Sequence, residues 1–291
     1  MSHPVAFERS GRIGVIVIDN PPVNAISAGV TQGLIDALAQ FEAASELDAL
    51  VLCCAGRTWV AGGDIAAFED PRFSAAPLNA FLARLEAQSR PVVASLHGTV
   101  LGGGLELAMA CHARVAQVST RLGMPEVRLG LLPGSLGTQR LPRLVGPELA
   151  LDMITSGRMI SAAQACQSGL VDGLAEGEAR ANGLAAAQAL VDAGTPPRRA
   201  SALPVRPTPA GLFDTAEANA ARRPGWPPLS AIIRCVRASL DQPFAEGERV
   251  EAAEFAALVA SPSSKRCVIC SLPSERPPRF RASRATPSCG R

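Results

Sequence analysis

Along the first half of the chain, short apolar runs alternate with segments of helical spacing. RIGVIVID, residues 12–19, is rich in β-branched residues and stops at the turn NPPVN, which reads as a strand followed by a break. From residue 27 to about 44 the apolar positions recur at helical spacing, and ALVLCCAG then reads as a buried strand. A helix over about 77–89, the strand PVVASLHG, a glycine-led helix in GTVLGGGLELAMACH and the strand-like ARVAQV continue the alternation. Strand, helix, strand in repetition predicts an α/β fold with parallel crossovers. After about residue 147 the pattern turns mostly helical. ELALDMITSG comes first, then SAAQACQSGL with Ser161 as N-cap, then an alanine-rich stretch reaching residue 193. GTPPRRASALPVRPTPAG is a proline- and arginine-rich linker, and LSAIIRCVRASL and ERVEAAEFAALVA beyond it are two amphipathic helices. The economical organisation is one domain over 1–195, a linker over 196–229 and a helical appendage over 230–264. In residues 265–291 helical periodicity gives way to Arg, Pro, Ser and Cys. Such a segment buries too little apolar surface to offset its ordering entropy, so disorder is expected there.

Composition narrows the classes. With 291 residues, 47% of them apolar, the chain can bury a substantial core. The net charge is +2 and the charges are scattered, which argues against a nucleic-acid partner and against a polybasic membrane anchor. No apolar run approaches the roughly 20 residues of a membrane span, and none near the start has signal-peptide length, so a cytoplasmic location is expected. The eight cysteines lack disulfide or zinc spacing and are expected to be reduced core residues. Cys267 and Cys270 form a lone CxxC without a second pair or a strand–helix context.

Three local patterns could carry chemistry. Glycines 102–104 run into a helix that is apolar except for Glu106. Unpaired N–H groups at such a helix start suit an oxyanion, although tight packing on a strand would use the same glycines. Glu106 itself satisfies the helix dipole, yet its apolar neighbours imply burial, which is costly for a carboxylate without a partner or purpose. A second acid, Glu126, follows Pro125 at another helix-like start. The third pattern is AGGD, residues 61–64, where Ala61, Gly62, Gly63 and Asp64 follow a buried strand and can present backbone N–H groups into a cleft. None of the three decides the matter alone.

Taken together, AGGD, HGTVLGGGLELAMACHARVA and MPEVRLGLLPGSLGTQRLPRLVG, in that order and at those separations, resemble the enoyl-CoA hydratase/isomerase (crotonase) superfamily. The resemblance runs from about residue 5 to 190. It implies a crotonase-like ββα spiral core with a C-terminal helical appendage, an acyl-CoA thioester as substrate, and neither a metal nor a resident cofactor, coenzyme A being part of the substrate. Glu106 and Glu126 occupy the positions of the paired glutamates of hydratases. The resemblance assigns the thioester oxyanion to the backbone N–H groups of Ala61 and Gly103, base catalysis at C3 to Glu106 and proton delivery to C2 to Glu126. Gly134, in LLPG, matches a turn that helps seat the attacking water. Leu136 departs from the glycine of PGxGG, which would narrow the acyl pocket or strain the turn. The implied activity is hydration of 2-enoyl-CoA in fatty-acid β-oxidation, with Δ3-Δ2-enoyl-CoA isomerisation as an added activity.

The start of the chain, the linker and PFAEGERVEAAEFAALVASPSSK are similar to the hydratase half of multifunctional β-oxidation enzymes. That similarity implies homo-oligomerisation or association with a dehydrogenase or thiolase partner. No strand with a GxGxxG loop for a dehydrogenase domain follows. Lys265 is the only lysine, and the pattern ends near it as a frameshift or early stop in a GC-rich gene would end it. A non-catalytic acyl-CoA-binding or truncated remnant subunit is the competing expectation.

Overall fold

The computed structural model describes residues 3–64, 67, 70, 74–262 and 264. The expected tail at 265–291, with its CxxC, lies outside them. The chain opens with a hairpin, β1 (Val5–Ser10) antiparallel to β2 (Ile13–Ile18). Helix α1 (Ala28–Ala43) then crosses back to β3 (Ala49–Cys54), which lies parallel to β2. Ser27 caps α1 by accepting the Val30 N–H at 3.2 Å. Helix α2 (Ala76–Glu86) leads to β4 (Val92–Leu96), parallel to β3. The short strand β5 (Thr99–Leu101) and helix α3 (Gly103–Met109) separate β4 from its next parallel neighbour, β6 (Ala113–Gln117).

After β6 come β7 (Arg121–Gly123), a 3-10 turn (Glu126–Leu129), α4 (Gly137–Val145) and α5 (Pro147–Ser156). Next are β8 (Met159–Ser161), α6 (Ala162–Ser168) with the expected Ser161 capping box, β9 (Gly173–Ala175) and α7 (Ala179–Asp192). The main sheet runs β1-β2-β3-β4-β6-β9, and a smaller sheet, β5-β7-β8, stands beside it. Crossovers of this kind bury both sheet faces, which is why β2, β3 and β4 read as continuous apolar runs. Alternate residues still point to opposite sides: Ile13, Val51 and Val93 go to a small core under α7, while Ile16, Leu52 and Ala94 join the large one.

Three features were not anticipated. Strand β1 and the small sheet are short segments with weak alternation. Helix α4 escapes amphipathic reading because all nine of its residues are buried, Gln139, Arg140 and Arg143 among them. The span expected to be a linker carries helix α8 (Leu212–Ala221), whose Leu212 and Phe213 pack on the main core. Helices α9 (Pro228–Asp241) and α10 (Phe244–Ala260) follow, and both pack on α4.

Two buried arginines fix the elements around α3 and α4. Arg140 donates to Glu86 Oε2 at 2.8 Å with both side chains out of solvent. Arg114, 1% exposed, donates to the Cys111 and Leu170 carbonyls at 2.7 Å and to the Ala108 carbonyl at 3.4 Å. It thereby closes the C-terminal end of α3, whose last carbonyls have no partner within the helix. Arg114→Leu is expected to remove the donors to the Cys111 and Leu170 carbonyls and the pairing with Asp172, and to lower unfolding free energy by about 2–4 kcal/mol, measured by urea denaturation.

Candidate active site

The glycines ahead of α3 have separate physical reasons. Gly102 has φ +50°, and a β-carbon there would lie 2.6 Å from Glu126 Oε1. A β-carbon on Gly104 would run into the Val60 carbonyl, so this glycine lets α3 lie against the segment carrying AGGD. Gly103, between them, is the first residue of the helix, and its N–H has no acceptor among the described residues.

The AGGD segment is tied to residues 23–26 by a short parallel bridge between Ile26 and Gly63. In that bridge the Ala61 N–H donates to the Val23 carbonyl at 3.1 Å, the Ile26 N–H to the Gly62 carbonyl at 3.0 Å and the Asp64 N–H to the Ile26 carbonyl at 3.0 Å. This corrects the expectation for Ala61, whose N–H already has an acceptor and cannot grip a ligand as well. The N–H groups of Gly62 and Gly63 keep no acceptor among the described residues, and of the two it is Gly63 that is placed beside Gly103. The Gly63 nitrogen lies 3.6 Å from where a β-carbon on Gly103 would stand. The two donors on this wall are therefore Gly63 and Gly103.

Glu106 sits in the first turn of α3 and is buried. Its Oε1 accepts the N–H of Ser135 at 2.7 Å and that of Gly137 at 2.9 Å. Its Oε2 lies on the Gly103 side, 3.9 Å from the position of a β-carbon there. Glu126 follows Pro125 on the 3-10 turn, and its Oε2 is buried with no hydrogen-bond partner among the described residues. Sequence reading missed a third acid, Glu251 of α10, which is 1% exposed. Its Oε1 accepts the Leu136 N–H at 2.6 Å, and its Oε2 accepts the Thr138 N–H at 3.0 Å together with the Thr138 hydroxyl. A signal was present: Glu251 interrupts the otherwise apolar stripe of its helix, as Glu106 does in α3.

Burial disfavours the charged form of all three acids. Glu106 is pushed up to about 7 by desolvation, against the pull of the two N–H groups it accepts and of Arg140. Desolvation, Glu106 and Glu251 together raise Glu126 to about 8. Glu251 is raised to about 8 by desolvation and by Glu106. The two N–H groups from the 135–137 turn thus hold Glu106 below Glu126, whose charged form the neighbouring acids oppose.

Gly134 has the Phe255 ring 2.6 Å from its would-be β-carbon, and its carbonyl accepts Asn79 Nδ2 at 3.4 Å. Leu136 takes the left-handed conformation, φ +73° and ψ +20°, at the N-cap of α4. For a residue with a β-carbon that costs roughly 1–2 kcal/mol. Its side chain is buried but does not line the cavity. Of the two consequences expected from Leu136, strain in the turn is the one the geometry carries.

Ala61, Gly62, Gly63, Asp64, Gly103, Glu106, Glu126 and Gly134, the eight residues singled out from the sequence, all line one cavity of about 570 Å³. Apolar walls from Ile26, Ile35, Leu78, Leu131, Leu132 and Phe255 complete it. An apolar chamber with paired acids on one side and two unpaired amide donors on another suits a substrate that joins an apolar chain to a polarisable carbonyl. No helix among the described residues is long and apolar enough to cross a membrane.

Residues 8–198 match the family described as enoyl-CoA hydratase/isomerase. The human peroxisomal bifunctional enzyme is 36% identical over 252 residues, covering 86% of this chain and 35% of its own length. A probable enoyl-CoA hydratase of Bacillus subtilis is 42% identical over 173 residues, 57% of this chain and 67% of that protein. Among solved structures, EchA1_1 from Mycobacterium paratuberculosis superimposes with a TM-score of 0.70 at 26% identity, covering 93% of this chain and 96% of that one. The chain thus spans about a third of the length of the bifunctional relative. With the match extending over most of the domain that builds the cavity, the chain belongs to the enoyl-CoA hydratase/isomerase family, and its fold is crotonase-like.

Proposed function

We propose that the protein hydrates 2-enoyl-CoA thioesters to 3-hydroxyacyl-CoA, as a step of fatty-acid β-oxidation. The observation that carries this reading is the unequal environment of two buried acids on one cavity. Glu106 accepts two backbone N–H groups and Glu126 has an oxygen with no partner among the described residues, on the same cavity as the Gly63 and Gly103 amides, which have no acceptor among them either. In the proposed reaction those amides hold the thioester oxygen as it gains negative charge, an interaction whose loss typically costs about 10²–10³ in rate. Glu106, the acid more readily ionised, takes a proton from water as its oxygen bonds to C3. Glu126, the acid more readily protonated, delivers a proton to C2. Two carboxyls whose environments separate their proton affinities can serve as base and acid in one step. Isomerisation of 3-enoyl-CoA, a cytoplasmic setting, and association with a dehydrogenase or thiolase partner belong to the same proposal.

Crotonyl-CoA hydration, followed by loss of enoyl-thioester absorbance, tests it. Glu106→Gln and Glu126→Gln are each expected to lower kcat by about 10²–10⁴ with little change in KM. Binding of crotonyl-CoA without turnover by the unsubstituted protein would favour the non-catalytic subunit instead.

The raised proton affinities make two further outcomes measurable. With a base near 7 and an acid near 8, kcat/KM is expected to peak between about pH 7 and pH 8 and to fall on both sides. For stability the sign is the reverse of the usual carboxylate case. A group whose folded value lies above its unfolded 4.5 holds more protons in the native state, so stability falls as pH rises from about 4.5 through about 8. Each pH unit of that interval is worth about 1.4 kcal/mol for one group. Urea denaturation is expected to show the parent losing stability relative to Glu126→Gln between pH 5 and pH 8.

A further inference from the structure

Helix α10 lies outside residues 8–198, yet one stripe of it sits against the turn that holds Glu106. Gly247, Glu251 and Phe255 are spaced four residues apart and therefore share a face. A β-carbon on Gly247 would run into the Gln139 amide, and Phe255 fills the space over Gly134. Between them, Glu251 accepts the N–H groups of Leu136 and Thr138. The neighbouring N–H groups, of Ser135 and Gly137, go to Glu106. Donors from four consecutive residues thus alternate between two acids more than a hundred positions apart in the chain. The turn between them contains a leucine in a conformation that glycine would adopt without strain. Such a turn needs an outside hold to keep its shape, and Glu251 is the group that supplies it.

We infer that Glu251 is a positioning residue for Glu106: by gripping Leu136 and Thr138 it fixes the 134–138 turn so that the Ser135 and Gly137 amides point at the Glu106 carboxylate. Glu251 is not among the residues lining the cavity and acts through the backbone of the turn. The kinetic consequence rests on the hydratase reading; the geometric one does not.

The test compares the parent protein with Glu251→Gln, which keeps the side chain's size but replaces one of its two acceptor oxygens by a donor. Residue-resolved amide exchange by NMR is expected to show at least tenfold faster exchange at Ser135 and Gly137, the amides bonded to Glu106, as well as at Leu136 and Thr138. Amides in the main sheet should be unchanged. With crotonyl-CoA, kcat is expected to fall at least tenfold while KM stays within about threefold. Faster exchange confined to Leu136 and Thr138, with kcat unaltered, overturns the inference. Should Glu251→Gln not fold, Thr138→Val, which removes the hydroxyl that donates to Glu251 and accepts Gln139 Nε2, is read at the same amides. There, accelerated exchange restored to parent values by Thr138→Ser supports the inference, and unchanged exchange at Ser135 and Gly137 overturns it. A parent protein that fails to hydrate crotonyl-CoA refutes the hydratase reading and leaves the exchange comparison intact.

Discussion

The N-terminal end of α4 is held by two carboxylates, and the rest of the site depends on that arrangement. A helix start exposes backbone donors that its own turns cannot satisfy. Here every residue of the helix is buried, so bulk water cannot serve them. Uncharged acceptors would do so weakly, whereas carboxylates accept several N–H groups at once and are favoured by the helix dipole. Glu106 and Glu251 therefore solve a folding problem, and the solution sets two acids deep in an apolar interior. Burial raises the proton affinity of Glu126, and the two acids beside it raise it further. Folding requirement and acid–base asymmetry have one source.

The opposite wall depends on the complementary condition, N–H groups that the fold leaves without acceptors. Neither donor is sealed off, Gly63 being exposed and Gly103 half-buried, so both stay open to a ligand entering the cavity. The bridge between Ile26 and Gly63 explains how one arises: it engages the Gly62 carbonyl and the Asp64 N–H on either side and leaves the Gly63 N–H out. At Gly103 the cause is different, the first amide of a helix having no carbonyl four residues before it within the helix. Close approach of the two walls then relies on Gly104, where any side chain would push α3 away from Val60.

Much of this was legible in the residues. The alternation of apolar runs marked β2, α1, β3, α2, β4, α3 and β6 in their order, though not β1 or β5, and Ser27 and Ser161 stand at two of the helix starts. Glu106 and Glu126 were readable because each acid stands at a helix start amid apolar neighbours. Which amide of AGGD stays open was not readable. It depends on the register of a two-residue bridge to a loop some forty positions earlier, and sequence spacing carries no trace of it. Helix α4 was missed because its polar side chains face inward, where they bond to tertiary partners, Arg140 to Glu86 and Gln139 to the Cys235 carbonyl. Glu251 lay in a helix whose apolar face was recognised, but its role needs a partner segment 113–115 positions away.

That separation bears on how the molecule comes into being. A chain emerging from the ribosome presents both glutamates of the cavity, and the turn that one of them holds, well before α10 has been made. Until α10 docks, the Leu136 and Thr138 amides lack their acceptor and the floor under Gly134 lacks the Phe255 ring. The newborn domain would thus pass through a stage with its sheet complete and its reaction chamber slack, becoming competent only when a late-synthesised helix closes over it.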